Sequence, residues 1–304
     1  MREATNPLAR AAAWAVAAWA VAAAPGAVGA AETATGDLVD RSALRVCADP
    51  SNLPFSNEAG EGFENRIAEL LAEELGVPLA YTFHPDTMGF VRNTLDAVRC
   101  DVIMGMATGV ELVQGTNPYY TSTYALVYRA DRGLDITSLA DPALKDLTIG
   151  AMAQTPPVTV LARNGLLRGL KPYHLLVDTR FHAPGRQLVE DVAAGKVDVG
   201  ALWGPIAGYW AKQQAVPMKV VPLAGPATGG ERMSFRIGMG VRHNEIDWKH
   251  RLNDFIAANQ ERINAILLDY GVPLLDARGR PIEHAGDDDD GGRRGQQQRP
   301  PRAG

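Results

Sequence analysis

The chain has 304 residues, 46% of them hydrophobic and 21% charged, and a formal net charge of −5. This length suits one large domain or two lobes, and the composition can build a substantial core. The negative balance argues against a protein that holds nucleic acid or an anionic membrane through a basic surface.

Arg2 and Arg10 flank a polar start, an apolar run AAAWAVAAWAVAAA follows at 11–24, and small residues precede Glu32. This order describes a secretory signal peptide over 1–31, cut after Ala30 or Ala31. A membrane anchor is the alternative, but the run is short and Ala-rich for a bilayer span. Residues 32–43 read as a polar lead-in. LRVCAD (44–49) reads as a buried strand, and PSNLPFSNEAGE (50–61) as a loop rich in turn residues. GFENRIAELLAEELG (62–76) carries Phe63, Ile67, Leu70, Leu71 and Leu75 at helical spacing, with Gly76 as a stop. PLAYTF (78–83) is a predicted strand, FVRNTLDAV (90–98) a helix and DVIMGMA (101–107) a strand. The βαβαβ order implies a parallel sheet with right-handed crossovers.

Cys47 and Cys100 are the two cysteines, one in the first strand and one just before the third. Those strands can be neighbours, and an exported chain meets oxidising conditions. A disulfide is therefore expected, with two buried thiols as the alternative.

After YYTSTYALVYRAD (119–131), read as a crossing, the pattern restarts. DLTIGAM (146–152), HLLVD (174–178), VDVGALW (197–203) and MKVVPL (218–223) read as strands. PPVTVLARNGL (156–166), GRQLVEDVAAGK (185–196) and IAGYWAKQQ (206–214) read as helices. SFRIGMGVR (234–242) reads as a strand returning to the first lobe. The helix at 246–271 closes the fold, with Trp248, Leu252, Phe255, Ile256, Ile263, Ile266 and Leu267 buried. The expected architecture is α/β: lobe 1 at 32–130 plus 222–285, lobe 2 at 131–221, joined by two crossings. A disordered tail is expected over 286–304, its aspartates at 287–290 solvated rather than caging a cation.

Enzyme motifs are missing. The chain has no GxSxG, HExxH, Walker A loop or dinucleotide glycine fingerprint, and its six histidines show no metal-ligand spacing. Glu73 and Glu74, or Glu190 and Asp191, read as solvated helix-face carboxylates, and Arg180-Phe181-His182 as a surface loop. No catalytic residue, no metal site and no cofactor carried by the chain itself is expected. The candidate cleft residues lie at strand ends: Asn52, Pro54 and Phe55 after the first strand, Thr108 after the third, and Tyr119 and Tyr120 at the crossing. Gln154 and Thr155 precede a helix N-terminus suited to an anionic or polar partner, and Trp203 ends the last strand of lobe 2.

LRVCADPSNLPFSN, GFENRIAELLAEELG, CDVIMGMATG and NPYYTSTYALVYR, in this order, resemble the first lobe of class II periplasmic solute-binding proteins. The resemblance covers roughly 44–275 and implies the two-lobed periplasmic-binding-protein type II fold. CADPSNLPFSN, TPPVTVLARNGL and WGPIAGYWA look closer still to the MoxJ/XoxJ-type proteins found with quinoprotein methanol dehydrogenase. That resemblance implies a periplasmic assistant to a PQQ-dependent methanol dehydrogenase of the calcium or lanthanide kind, acting in its maturation or activation beside an associated cytochrome c. Amino-acid binders of the family carry an Arg soon after the residue matching Thr108, and an Asp at the end of lobe 2's last strand. Here GVELVQGTN follows Thr108, and Trp203 or Gly204 stands at the second place. A zwitterion would lack both anchors, so free amino acids are expected to bind poorly. The rival expectations are a transport receptor for another small solute, a carrier of the quinone using Thr155, and an enzyme such as a dehydratase on the same scaffold.

Overall fold

The apolar runs become strands, and the amphipathic segments between them become the helices that cover the sheet. A computed structural model describes residues 38–175, 177–224 and 230–287, which belong to one compact unit. The expected signal peptide, and the expected tail beyond Asp287, lie outside the described residues.

Strand β1 (Leu44–Ala48) leads into a two-stranded hairpin, β2 (Ser51–Asn52) and β3 (Ser56–Asn57), whose turn holds a cis Leu53–Pro54 bond. Helix α1 (Phe63–Leu75) follows. It starts at Gly62, where a Cβ would fall 2.0 Å from the Phe55 carbonyl oxygen. The Asn65 side chain accepts from the Gly62 and Asn57 amides, both at 3.1 Å, and so ties the hairpin to the first turn. Gly76 ends the helix in the left-handed region at φ 67°, as its sequence position predicts.

β4 (Leu79–Phe83), α2 (Phe90–Asn93) and β5 (Val102–Ala107) complete the first half. Here the sequence expectation needs correcting, because the helix over 90–98 stops at Asn93. Thr94 leaves helical geometry and its hydroxyl donates to the Phe90 carbonyl at 2.7 Å. The next residues turn, with Val98 at φ 56°, to deliver Cys100 to β5.

β6 (Gln114–Arg129) is one strand of 16 residues where a crossing segment was expected. After it come β7 (Ile149–Met152), α3 (Pro156–Arg163), β8 (Leu170–Tyr173), α4 (Pro184–Ala193), β9 (Val199–Trp203), α5 (Gly204–Lys212) and β10 (Met218–Pro222). β11 (Ser234–Val241), the long α6 (Ile246–Asp269), β12 (Leu274–Leu275) and β13 (Pro281–Ile282) finish the fold. The strand expected at 174–178 is a second correction. The ladder beside β7 is made instead by β8, in register from Ile149↔Leu170 to Met152↔Tyr173. Pro172 hid it, yet β8 ends the sheet, where a missing amide donor is tolerated.

The sheet order is β4-β1-β5-β11-β6-β9-β7-β8, with β10 also on β6. β4, β1 and β5 are parallel, as are β9, β7 and β8; β6 and β11 run antiparallel between the two sets. β6 pairs with β11 through Thr123 and with β9 and β10 from Tyr124 onward, so one strand serves both halves. The first half has its core between the sheet, α1 and α6, centred on Phe63, Ile67, Met104, Tyr119, Leu252 and Phe255. The second half is covered on both faces. Leu126 and Tyr128 of β6 meet the α3 side, while Ala125 and Val127 meet α4 and α5. This alternation follows the two-residue period of a strand. The halves also touch through α5, whose Gly208 lies so near Gly271 that a Cβ would fall 1.8 Å from that carbonyl oxygen.

Candidate functional site

The strand ends of β1 and β5, the β2–β3 hairpin and the end of β9 converge on two adjoining pockets. The inner one, about 220 Å³, is floored by Ala48, Asp49, Glu64 and Gly105 and walled by Phe55, Phe90, Tyr120 and Trp203. The outer one, about 340 Å³, lies between the hairpin and the second half, touching Thr179, His182, Arg186 and Trp210. Asn52, Phe55 and Asp86 belong to both, so the pockets form one cleft. Together they fall within the range of small-molecule sites.

Aromatic rings frame the inner pocket. Phe55 meets Phe63 edge-on at 5.3 Å, and Phe63 meets Tyr120 at 6.2 Å. Trp203 packs edge-on against Tyr124 at 5.3 Å and Phe235 at 6.0 Å. Asp49 is buried and well supplied with donors: the Ser51 amide at 2.8 Å, the Asp86 amide at 2.6 Å and the Thr179 hydroxyl, 2.8 Å from each carboxylate oxygen. Thr179 comes from the loop after β8, so this contact joins the two halves across the cleft mouth.

Glu64 differs. It sits in the first turn of α1, over Gly105 of β5, where a Cβ would come within 2.1 Å of its Oε1. Among the described residues nothing donates a hydrogen bond to its carboxylate. Burial, with the charges of Asp86 and Asp49 added, pushes its pKa up to about 8. Tyr120 is only 6% exposed, and its hydroxyl has no hydrogen-bond partner among the described residues. Burial and then the charge of Glu64 hold that hydroxyl well above the usual tyrosine range.

Four of the sequence candidates, Asn52, Phe55, Tyr120 and Trp203, meet in this cleft. The others lie elsewhere. Pro54 is buried in the hairpin turn, and its carbonyl accepts from the Phe63 amide at 2.8 Å. Tyr119 is 1% exposed and its hydroxyl donates to the Met104 carbonyl at 2.8 Å, because successive strand residues face opposite ways. Thr108 pairs its amide with Arg236 and lines neither pocket. Gln154 is exposed at φ 63°, and the Thr155 hydroxyl is buried and donates to Met152 at 2.6 Å, so neither presents a group to the cleft. Cys47 and Cys100 are joined, their Cα atoms 5.4 Å apart, and brace β1 beside the inner pocket. Asp191 is a further correction: it is buried, not solvated, and accepts from Lys171, Tyr173, Gln187 and Lys196.

Asp49, Glu64, Asp86 and Thr179 escaped the sequence reading. An acid directly after a strand, and one at a helix start preceded by Gly, were the available signals. Asp86 and Thr179 lie in loops with no pattern of their own. Among the described residues, no group of three or more His, Cys, Asp or Glu side chains is arranged to hold a metal ion, and no helix is long and apolar enough to cross a membrane.

Residues 44–270 match the family model of bacterial extracellular solute-binding proteins, family 3. The crystal structure of the periplasmic binding protein XoxJ from Methylobacterium extorquens AM1 is 43% identical, covers 76% of this chain and 99% of its own, and superposes with a TM-score of 0.64. Protein MoxJ of Methylorubrum extorquens (strain AM1) is 32% identical over 250 residues, 78% of this chain and 83% of that one. Protein MoxJ of Paracoccus denitrificans is 28% identical over 257 residues, 78% of this chain and 91% of that one. With its type II periplasmic-binding-protein architecture and its disulfide-braced cleft, this chain belongs to the bacterial extracellular solute-binding proteins of family 3, as a MoxJ/XoxJ-like member.

Proposed function

We propose that the protein is a periplasmic, methanol-oxidation-associated accessory protein that binds a PQQ-dependent methanol dehydrogenase and assists its maturation or activation, without catalysing a reaction itself. The observation that carries this reading is the wall of the inner pocket. It has rings and carboxylates but neither Lys nor Arg, and by the family resemblance Trp203 or Gly204 stands where an amino-acid receptor needs an acid. A free amino acid placed there would bring its carboxylate beside Asp49 and Asp86 with no Lys or Arg to pair it. The same charges oppose the quinone cofactor, which is itself a carboxylate, and Thr155 is engaged with Met152. A protein segment needs no zwitterion clamp and gains from an aromatic rim. The likeness to MoxJ and XoxJ supports the choice of partner.

Co-purification with the apo-dehydrogenase, with and without cofactor and metal, tests this. Association is expected, weakened tenfold or more by Phe55→Ala with Trp203→Ala; no association in any cofactor state overturns it. A second reading, receptor for a small solute other than a standard amino acid, is favoured by the Thr179–Asp49 contact, which joins the halves over a cleft whose two pockets together reach small-molecule size. A ligand retained through mild purification would favour that reading.

A further inference from the structure

Two contacts join the halves away from the strands that connect them. One is the Thr179–Asp49 pair at the cleft mouth. The other lies where α5 of the second half meets the end of α6 in the first. Gly204, Gly208 and Lys212 recur every four residues and form one face of α5. A Cβ on Gly204 would fall 2.3 Å from the Thr123 carbonyl oxygen and 2.5 Å from Pro273 Cγ, and one on Gly208 would strike the Gly271 carbonyl oxygen. Gly271 itself sits at φ 75°. Backbone thus lies on backbone with no side chain interlocked, an approach that glycine permits. Lys212 reaches along the same face and donates to the Asp269 carbonyl, at the negative end of α6. A smooth contact of this kind lets one helix turn against the other, whereas interdigitated side chains would lock them.

Tyr270 ties this contact to the cleft. Its ring stacks on Tyr209 of α5, with centroids 5.8 Å apart at 18°, and meets Phe63 edge-on at 5.9 Å. Phe63 in turn packs against Phe55, which lines both pockets. Rings at these separations are in packing contact. The Tyr270 hydroxyl donates to the Glu61 carbonyl at 2.6 Å. Glu61 is bound twice to Asn57 of β3, through its amide and its carboxylate, both at 2.8 Å. Next to Tyr209, Trp210 lines the outer pocket, with the Arg186 guanidinium 4.8 Å from its ring centre. One first-half residue therefore touches α5 with its ring and the cleft hairpin, through Phe63 and Glu61, with its ring and hydroxyl.

We propose that the glycine face of α5 is the bearing on which the halves turn, and that Tyr270 gears this turn to the β2–β3 hairpin. Opening at the mouth then displaces Phe55 and Asn57, and a partner pressing on Phe55 changes the mouth. The coupling is reciprocal, as linkage requires. It is a property of the cleft alone and needs neither a dehydrogenase nor a solute. Failure of co-purification leaves it standing, and failure of the coupling leaves the docking reading standing.

The test is double electron–electron resonance on pairs of nitroxide labels, without any ligand. One pair, Met88→Cys with Phe181→Cys, uses rim residues that are 90% and 75% exposed, one in each half, and reads the mouth. A second pair, Ala59→Cys with Ala258→Cys, both exposed, reads the hairpin against α6 within the first half. The native cysteines are bridged and buried, so they take no label. Thr179→Val should lengthen the mouth distance by more than about 2 Å. In the same background the hairpin distance should shift by about 1 Å. Adding Tyr270→Leu should keep the mouth shift and abolish the hairpin shift. Tyr270→Phe, which keeps the stack and loses the hydroxyl, should retain part of it. Tyr209→Ala cuts the same stack from the other side, and circular dichroism and melting show that each variant folds. A mouth unmoved by Thr179→Val, a hairpin that stays in place while the mouth widens, or a hairpin shift unchanged by both Tyr270→Leu and Tyr209→Ala would each overturn the proposal.

Discussion

Two carboxylates, one in each half of the molecule, make opposite use of the same side-chain chemistry. Asp191, on α4 in the second half, would be raised by burial, but hydrogen bonds from Lys171, Tyr173, Lys196 and Gln187 outweigh that and hold it well below the usual carboxylate range. Glu64, half-buried on α1 in the first half, has no such donor among the described residues, and desolvation pushes it up to about 8. A buried acid that is fully answered is structural and stays charged. One that is unanswered is held toward its neutral form. The second half is thus internally complete, while the first half leaves its bonding capacity open toward the cleft.

The largest expected effect breaks the brace of the first half. Cys47→Ser with Cys100→Ser opens a loop of sequence separation 53, and the chain-entropy relation gives a loss of about 4 kcal/mol in urea-unfolding free energy. Next is Asp191→Ala, which leaves the buried Tyr173 hydroxyl and two lysines without an acceptor. A loss of about 2–3 kcal/mol at pH 7 is expected. The Asp191 contribution is present above its unfolded pKa of 3.8 and disappears as pH falls through its lower folded value.

Glu64 has the reverse sign. The folded chain holds its proton up to about pH 8, whereas the unfolded chain releases it near 4.5. Its contribution is therefore full below pH 4.5 and declines as pH rises through 8, at up to about 1.4 kcal/mol per pH unit. Glu64→Gln should remove that slope from urea midpoints measured between pH 5 and 9, and leave the variant the more stable protein at pH 9. The smallest effect belongs to Thr179→Val. Asp49 keeps its two amide donors, so a loss of about 1 kcal/mol is expected. The latch between the halves goes, and small-angle scattering should show a larger radius of gyration.

Much of the scaffold was legible in the sequence. The apolar spacing of α1 and α6, the stop at Gly76, the βαβ order and the pairing of Cys47 with Cys100 follow from periodicity, turn chemistry and strand adjacency. The errors share one cause. Pro172 argues against a strand unless the strand is at an edge, Asp191 looks solvated until β8 brings Lys171 and Tyr173 against it, and Tyr119 and Tyr120 look alike until the sheet is placed.

By itself the chain's pattern of apolar and turn residues determined which segments are strands and helices, in what order, and which family they resemble. Those are local properties, set within a few residues. Tertiary structure alone decided that β6 runs through both halves as one ladder, that Tyr120 rather than Tyr119 faces the cleft, and that Glu64 stands unpaired over Gly105. Each depends on residues far apart in the chain coming together, so that side chains meet or miss a donor, and it is this meeting or missing that fixes their charge.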